Sequence, residues 1–270
     1  KNFPGKNARR RRERFMKVAL IHDWLVNYGG AERCLEVFLE LYPEAVVFTS
    51  VYDPEKLSQP LKNINVKTSF IQNLPFSKSK YMNYLPLLPR AFESFDLGGY
   101  DLIISISHAA AKGIKKNKNA LHVCYCLTPM RYAWDMREDY SKYKEFNFFT
   151  QAAFNVLMKH FRSWDVESGG RVDDFVAISD FVRQRIQKYY GRRSQVIYPP
   201  VETELFVPGS KDRDYYLVVS RLVPQKRIDI IIAAFNVMGL PLKIIGEGRE
   251  EKTLKKPAKS NIEFLGPLSD

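Results

Sequence analysis

Cysteine is scarce and odd in number, with only Cys34, Cys124 and Cys126 in 270 residues. That count leaves no disulfide framework, and no second ligand pair stands ready to complete a zinc site. Cys124 and Cys126 lie two apart on an expected strand, share one face, and read as buried free thiols of a reducing compartment. Long apolar runs are also missing, so no segment has the length of a membrane span. The charged N-terminus is followed by no apolar h-region, which excludes the secretory-signal pattern and makes the cytoplasm the expected place. Neither a G-x-G-x-x-G fingerprint nor a P-loop Lys-Ser/Thr occurs, which removes the usual dinucleotide and P-loop signatures.

What the sequence does have is apolar material and positive charge. Residues are 45% hydrophobic and 13% aromatic, enough for one large core or two smaller ones, and the net charge is +12. Half of that excess sits in residues 1–15, where seven basic residues face Glu13 alone, giving +6. This tail shows no apolar periodicity, reads as disordered, and is set aside from the fold because Met16 opens the first strand. Its charge suits an anionic membrane surface, and hence peripheral contact at the inner face of the cytoplasmic membrane. It suits nucleic acid electrostatically too, but it lacks interleaved aromatics and a recognition motif, so no nucleic-acid partner is expected.

Taken along the chain, apolar β-prone runs alternate with helical patterns. Strands are expected at Met16–Ile21, Ala45–Val51, Ile64–Thr68, Asp101–Ile106, Leu121–Cys126, Phe175–Ile178 and Gln195–Tyr198. His22-Asp23-Trp24 ends the first of these. Gly29-Gly30-Ala31-Glu32-Arg33 then leads into a helix with Cys34, Leu35, Val37, Phe38 and Leu41 on its apolar side. Strand, Gly-Gly, helix suits a phosphate, because glycine lets backbone N–H groups approach an anion; simple tight-turn geometry is the alternative. His108 follows the fourth strand, at the end where α/β sheets hold ligands, and a purely structural histidine is the competing reading. Phe70–Phe95, rich in aromatics, Leu and Pro, reads as a helix pair packed on the sheet, the alternative being an exposed apolar patch that meets a membrane or lipid-linked substrate. The loop Leu127–Asp135 offers ring faces and hydrogen bonds to a sugar. Ser179-Asp180 caps a helix Phe181–Tyr190, whose Arg183, Arg185 and Lys188 form a solvated face.

After the connector Pro199–Pro208 the alternation restarts. Tyr215–Val219 is apolar throughout and reads as a strand buried on both faces. Pro224 ends it, and Ile228, Ile231, Ile232 and Phe235 follow at helical spacing. Arg221 and Lys226 fall in the loop between, beside a helix start. A guanidinium fork, an ammonium and a helix N-terminus make a diphosphate clamp; ordinary solvated charges are the alternative. The economical division is residues 16–199 and 200–270, two doubly wound α/β domains with a ligand crevice between them.

Five motifs in order carry a resemblance: His22-Asp23-Trp24 through Glu32, Ser107-His108-Ala109, Val176-Ala177-Ile178-Ser179, Val196 through Val201, and Ser220-Arg221-Leu222 with Lys226-Arg227-Ile228-Asp229. Together they resemble the retaining GT-B glycosyltransferases of family 4, in particular mannosyltransferase-like members that build bacterial polysaccharides. The resemblance implies two Rossmann-like parallel-sheet domains and a nucleotide-sugar donor, GDP-mannose being the guess. It implies that Arg221 and Lys226 neutralise the donor diphosphate, that Gly29 and Gly30 bring backbone N–H groups to it, and that His108 lies beside the donor sugar. No cofactor or divalent metal is implied, because cationic side chains take the metal's role. The acceptor would be a saccharide or lipid-linked. Only 70 residues follow Pro200, and the family's two glutamates eight apart are missing, so the second domain reads as truncated and turnover as impaired. A non-catalytic acceptor- or membrane-docking fragment is the alternative function.

Overall fold

A computed structural model describes residues 16–134, 148–204 and 213–268. The basic tail, part of the connector and the end of the Leu127–Asp135 loop lie outside these. The chain divides into two compact units, Lys1–Val201 and Glu202–Asp270.

In the first unit the elements run β1 (Val18–His22), α1 (Gly30–Leu41), β2 (Val46–Thr49), α2 (Gln59–Lys62), β3 (Val66–Thr68), α3 (Leu88–Glu93), β4 (Leu102–Ser107), β5 (Leu121–Cys126), α4 (Arg131–Trp134), α5 (Phe148–Gly170), β6 (Asp174–Ala177), α6 (Asp180–Tyr190) and β7 (Ser194–Val196). The strands form one parallel sheet in the order β3-β2-β1-β4-β5-β6-β7. The chain winds outward from β1 to β3 and then returns to β4 on the other side of β1. Such a switch point opens a crevice at the strands' carboxyl ends.

Strand alternation explains the two layers. Ala19, Ile21 and Ile103 enter one buried cluster with Phe48, Phe92 and Phe161. Val18, Leu20, Ile104 and Ile106 enter the opposite one with Leu35 and Leu61. All five residues of β1 are buried, as a central parallel strand requires. Phe70–Phe95 packs on the sheet, as expected, through Ile71, Leu88, Ala91 and Phe92. It does so with two 3₁₀ turns and α3, because Pro75, Pro86 and Pro89 interrupt any longer helix. In α1, Leu41 departs from the expected apolar side and is 65% exposed in the last turn. The three cysteines are buried and free, as read from the sequence.

Three expectations are corrected. The loop after β5 does not offer its rings to a sugar: Tyr132 is buried edge-on to Phe161 and Trp134 stacks on Tyr189 at 4.5 Å. Arg185 leaves the solvated face of α6, stacking 5.4 Å over Tyr189 and donating to the Pro129 carbonyl at 3.3 Å. In the second unit, β8 (Tyr216–Val219) is not buried on both faces, since Leu217 is 52% and Val219 70% exposed. It is the edge strand of the order β10-β9-β8. The remaining elements there are α7 (Ile228–Met238), β9 (Leu242–Ile245), α8 (Glu251–Lys255) and β10 (Ile262–Gly266). Their core of Ile228, Ile232, Ile244 and Leu254 takes in Val218, which leaves the alternate residues of β8 on the uncovered face.

Buried charges inside the first unit are paired at Lys112. Lys112, 1% exposed, meets the Asp165 carboxylate, which also accepts from the Trp134 indole at 2.7 Å and the Tyr190 hydroxyl at 2.9 Å. This network ties the turn after β4 to α4, α5 and α6. Asp165→Ala strands a buried ammonium and is expected to cost about 3–5 kcal/mol, whereas Lys112→Met with Asp165→Leu recovers much of the loss. Urea unfolding of the two variants checks this; equal destabilisation would show that the charges do not act as a pair.

Candidate functional site

The carboxyl ends of β1 and β4 meet at a single carboxylate. Asp23, fully buried just after β1, accepts four backbone N–H groups from the turn after β4. Its Oδ2 takes those of His108 and Ala109 at 2.7 and 2.9 Å, and its Oδ1 those of Ala110 and Ala111 at 2.6 and 2.7 Å. The same Oδ2 lies 3.1 Å from His108 Nδ1. A proton on Nδ1 would face this carboxylate and turn Nε2 into an acceptor. The His108 side chain is 24% exposed, so its ring edge is open to a ligand. Trp24 packs edge-on against it at 4.7 Å and Tyr81 buttresses Trp24 at 5.1 Å. Sequence reasoning placed His108 here but missed Asp23 as its holder. The only local signal is an acidic residue flanked by two other polar or aromatic ones at a strand end.

His22 joins this centre to the start of α1. Its Nδ1 donates to the Trp24 carbonyl at 2.9 Å, and its Nε2 lies 3.8 Å from Glu32, in the first turn of α1. Burial lowers the His22 pKa to about 4, against the upward pull of Asp23, so the ring is neutral at ordinary pH. Gly29 caps α1 without any side-chain hydrogen bond and with an extended backbone. A Cβ at Gly30 would meet nothing within 4 Å, and neither glycine has a positive φ. The turn itself therefore does not need Gly29 or Gly30. Tight-turn geometry does not account for them, and a helix N-terminus without a side-chain cap is an arrangement that accepts an anion.

In the second unit, Arg221 and Lys226 are both exposed in the loop after β8. The neighbouring Arg227 is bound to Asp229 at 2.9 Å, while neither Arg221 nor Lys226 meets a carboxylate among the described residues. Two glycines after β9 were missed. Gly246 has φ +130° and a Cβ there would fall 2.0 Å from the Ser220 carbonyl; at Gly248 it would fall 2.2 Å from that of Leu222. The close approach is fixed by Leu222 N–H donating to the Glu247 carbonyl at 2.8 Å and Glu250 N–H to that of Leu222 at 3.1 Å. Gly-x-Gly after the apolar run Leu242–Ile245 was the available signal. The backbone carrying Arg221 is thus clamped while its side chain stays free to meet a ligand.

The sequence also holds an Asp-x-Asp, Asp212-Arg213-Asp214. Asp212 lies outside the described residues, and Asp214 precedes β8, at the strand end opposite Arg221.

His22 makes folding pH-dependent. The unfolded chain protonates it below pH 6.5 and the folded one resists until about 4, so its contribution is fully present above 6.5 and is lost as pH falls toward 4. The loss is about 3 kcal/mol. His22→Asn is expected to flatten the wild-type slope of unfolding free energy over that window; a parallel slope contradicts the assignment.

The Glycosyltransferase Family 4 pattern matches residues 28–205. Over 101 residues the chain is 31% identical to an uncharacterized glycosyltransferase of Methanocaldococcus jannaschii, covering 36% of this chain but only 28% of that relative's length. Among solved structures, Anabaena HepE in complex with UDP and glucose superposes with a TM-score of 0.61 at 18% identity, over 94% of this chain and 70% of HepE. TarM gives 0.55 at 11% identity, over 94% and 77%. At these identities the structural likeness is one of fold. No helix among the described residues is long and apolar enough to cross a membrane. With the family pattern covering most of the sequence and the two parallel α/β sheets matching these structures, the chain belongs to glycosyltransferase family 4 and has the GT-B type of fold.

Proposed function

We propose that this protein transfers a hexose from a nucleotide-sugar donor to a saccharide or lipid-linked acceptor with retention of configuration. The observation that carries the reading is the pair Arg221 and Lys226. They are exposed at the carboxyl end of β8, free of carboxylate partners among the described residues, on a loop fixed by Gly246 and Gly248.

In this reading the guanidinium forks onto the donor diphosphate and the ammonium adds a point charge. Both gain most as negative charge grows on the departing nucleotide, so the stabilisation is greater in the transition state than in the ground state. In the first unit, the N-terminus of α1 at Gly29 and Gly30 offers backbone N–H groups to an anion. His108, with its Nδ1 turned toward Asp23, meets a sugar hydroxyl and so orients the ring being transferred. Cations in place of a metal ion remain part of the proposal, as does mannose carried by GDP and a place in polysaccharide assembly. The solved relative HepE was captured with UDP and with UDP-glucose, which supports a nucleotide-sugar donor and makes the uridine series part of the test.

Calorimetric titration with GDP-mannose, UDP-glucose and an ADP-sugar tests this. One donor is expected to bind, with Arg221→Ala and Lys226→Ala each weakening it about tenfold, the scale of one charge-assisted hydrogen bond. Unchanged affinity in both variants removes the clamp. His108→Ala is expected to lower transfer while leaving affinity for the free nucleoside diphosphate unchanged.

A further inference from the structure

Between Glu55 and Glu93 the sequence has no acidic residue, yet it carries Lys56, Lys62, Lys67, Lys78, Lys80 and Arg90, six positive charges against none. All but Lys62 are exposed. The stretch spans β3, the edge strand of the first unit's sheet, and the loops leading to α3. A single-sign field of this kind attracts an anionic surface.

At its centre the loop 74–80 displays an aromatic ring. Phe76 is 70% exposed and has φ +55°, a left-handed conformation that a bulky residue rarely adopts. The conformation is held by its surroundings. Ser79 and Lys80 N–H groups both donate to the Phe76 carbonyl, at 3.1 and 2.7 Å. The Tyr84 hydroxyl donates to the Pro75 carbonyl at 2.6 Å and that of Ser77 to Gln72 at 2.8 Å. The loop is thus built to turn Phe76 outward, where it gains nothing from the core. Lys80 sits 5.1 Å over the ring, and Lys78, though 3.5 Å from Asp53, remains half exposed.

We infer that the loop 74–80 docks the first unit on an anionic bilayer, with Phe76 entering the headgroup–acyl boundary and Lys78 and Lys80 meeting lipid phosphates. An apolar ring with Lys80 over it and Lys78 two residues away in sequence matches that interface: the ring leaves water while the lysines keep their charges at headgroup depth. The tail of residues 1–15 is not needed for this surface, and neither is the donor assignment.

Co-sedimentation of the full chain with vesicles tests it, read without any donor present so that its outcome is separate from sugar transfer. Association is expected with phosphatidylcholine mixed with phosphatidylglycerol, falling as salt rises, and not with phosphatidylcholine alone. Phe76→Gly is expected to weaken association about tenfold, the loss for one apolar side chain kept out of the bilayer. Its thermal midpoint should hold or rise, because glycine adopts φ +55° freely, so unfolding cannot explain the loss. Lys78→Ala with Lys80→Ala is expected to weaken it by a further comparable factor and to lessen the salt dependence. Equal association of the Phe76→Gly variant and the wild type, or no association with anionic vesicles, overturns the inference. The second result would leave an acidic protein surface as the partner to seek.

Discussion

One buried carboxylate holds the carboxyl-terminal end of the first unit's central strands together. Asp23 sits at the end of β1 and gathers four consecutive amides from the turn after β4, so two strands on either side of the sheet's switch point are joined by a single side chain. Without it, four buried N–H groups would lack acceptors, a cost no neighbouring group is placed to offset. The same carboxylate faces His108 Nδ1 at 3.1 Å, so the fixing of the turn and the surroundings of this imidazole rest on one residue. Ser50 N–H and hydroxyl both bind the Asp23 carbonyl, and Ser69 binds that of Ser50, which carries the fixation on to β2 and β3.

The second unit solves the parallel problem without a carboxylate. There the loops after β8 and β9 are pressed together until only glycine fits at positions 246 and 248. Backbone packing of that closeness immobilises the main chain around Arg221 without using its charge. The Arg221 charge, on a fixed backbone and without a carboxylate partner among the described residues, is left for the role proposed for it at a donor diphosphate.

Much of the scaffold was legible because the parallel strands are buried on both faces and read as apolar runs. Leu121–Cys126 is a strand over those very residues, and Ser179 caps α6 by accepting from Val182 N–H at 3.2 Å, as its residue type foretold. The position of His108 was legible, one residue beyond a strand. Asp23 was not, since its four partners lie 85 to 88 residues away and no local pattern records them. β8 was misread for a related reason: its composition states that it can be buried, but its place at the edge of the three-stranded order decides how much of it is. The rings of Tyr132 and Trp134 were misassigned to a ligand because an aromatic loop looks alike whether its rings turn in or out. In Trp134 the buried Asp165 acceptor decided the matter.

The most direct test of this account is the nitrogen-15 NMR spectrum of the His108 side chain across the neutral pH range. The orientation proposed for His108 places the proton on Nδ1, toward Asp23, with Nε2 showing the shift of an unprotonated, accepting nitrogen. A His108 protonated at Nε2 instead, or a rapidly averaging mixture of tautomers, would contradict it and with it the orientation assigned to the site.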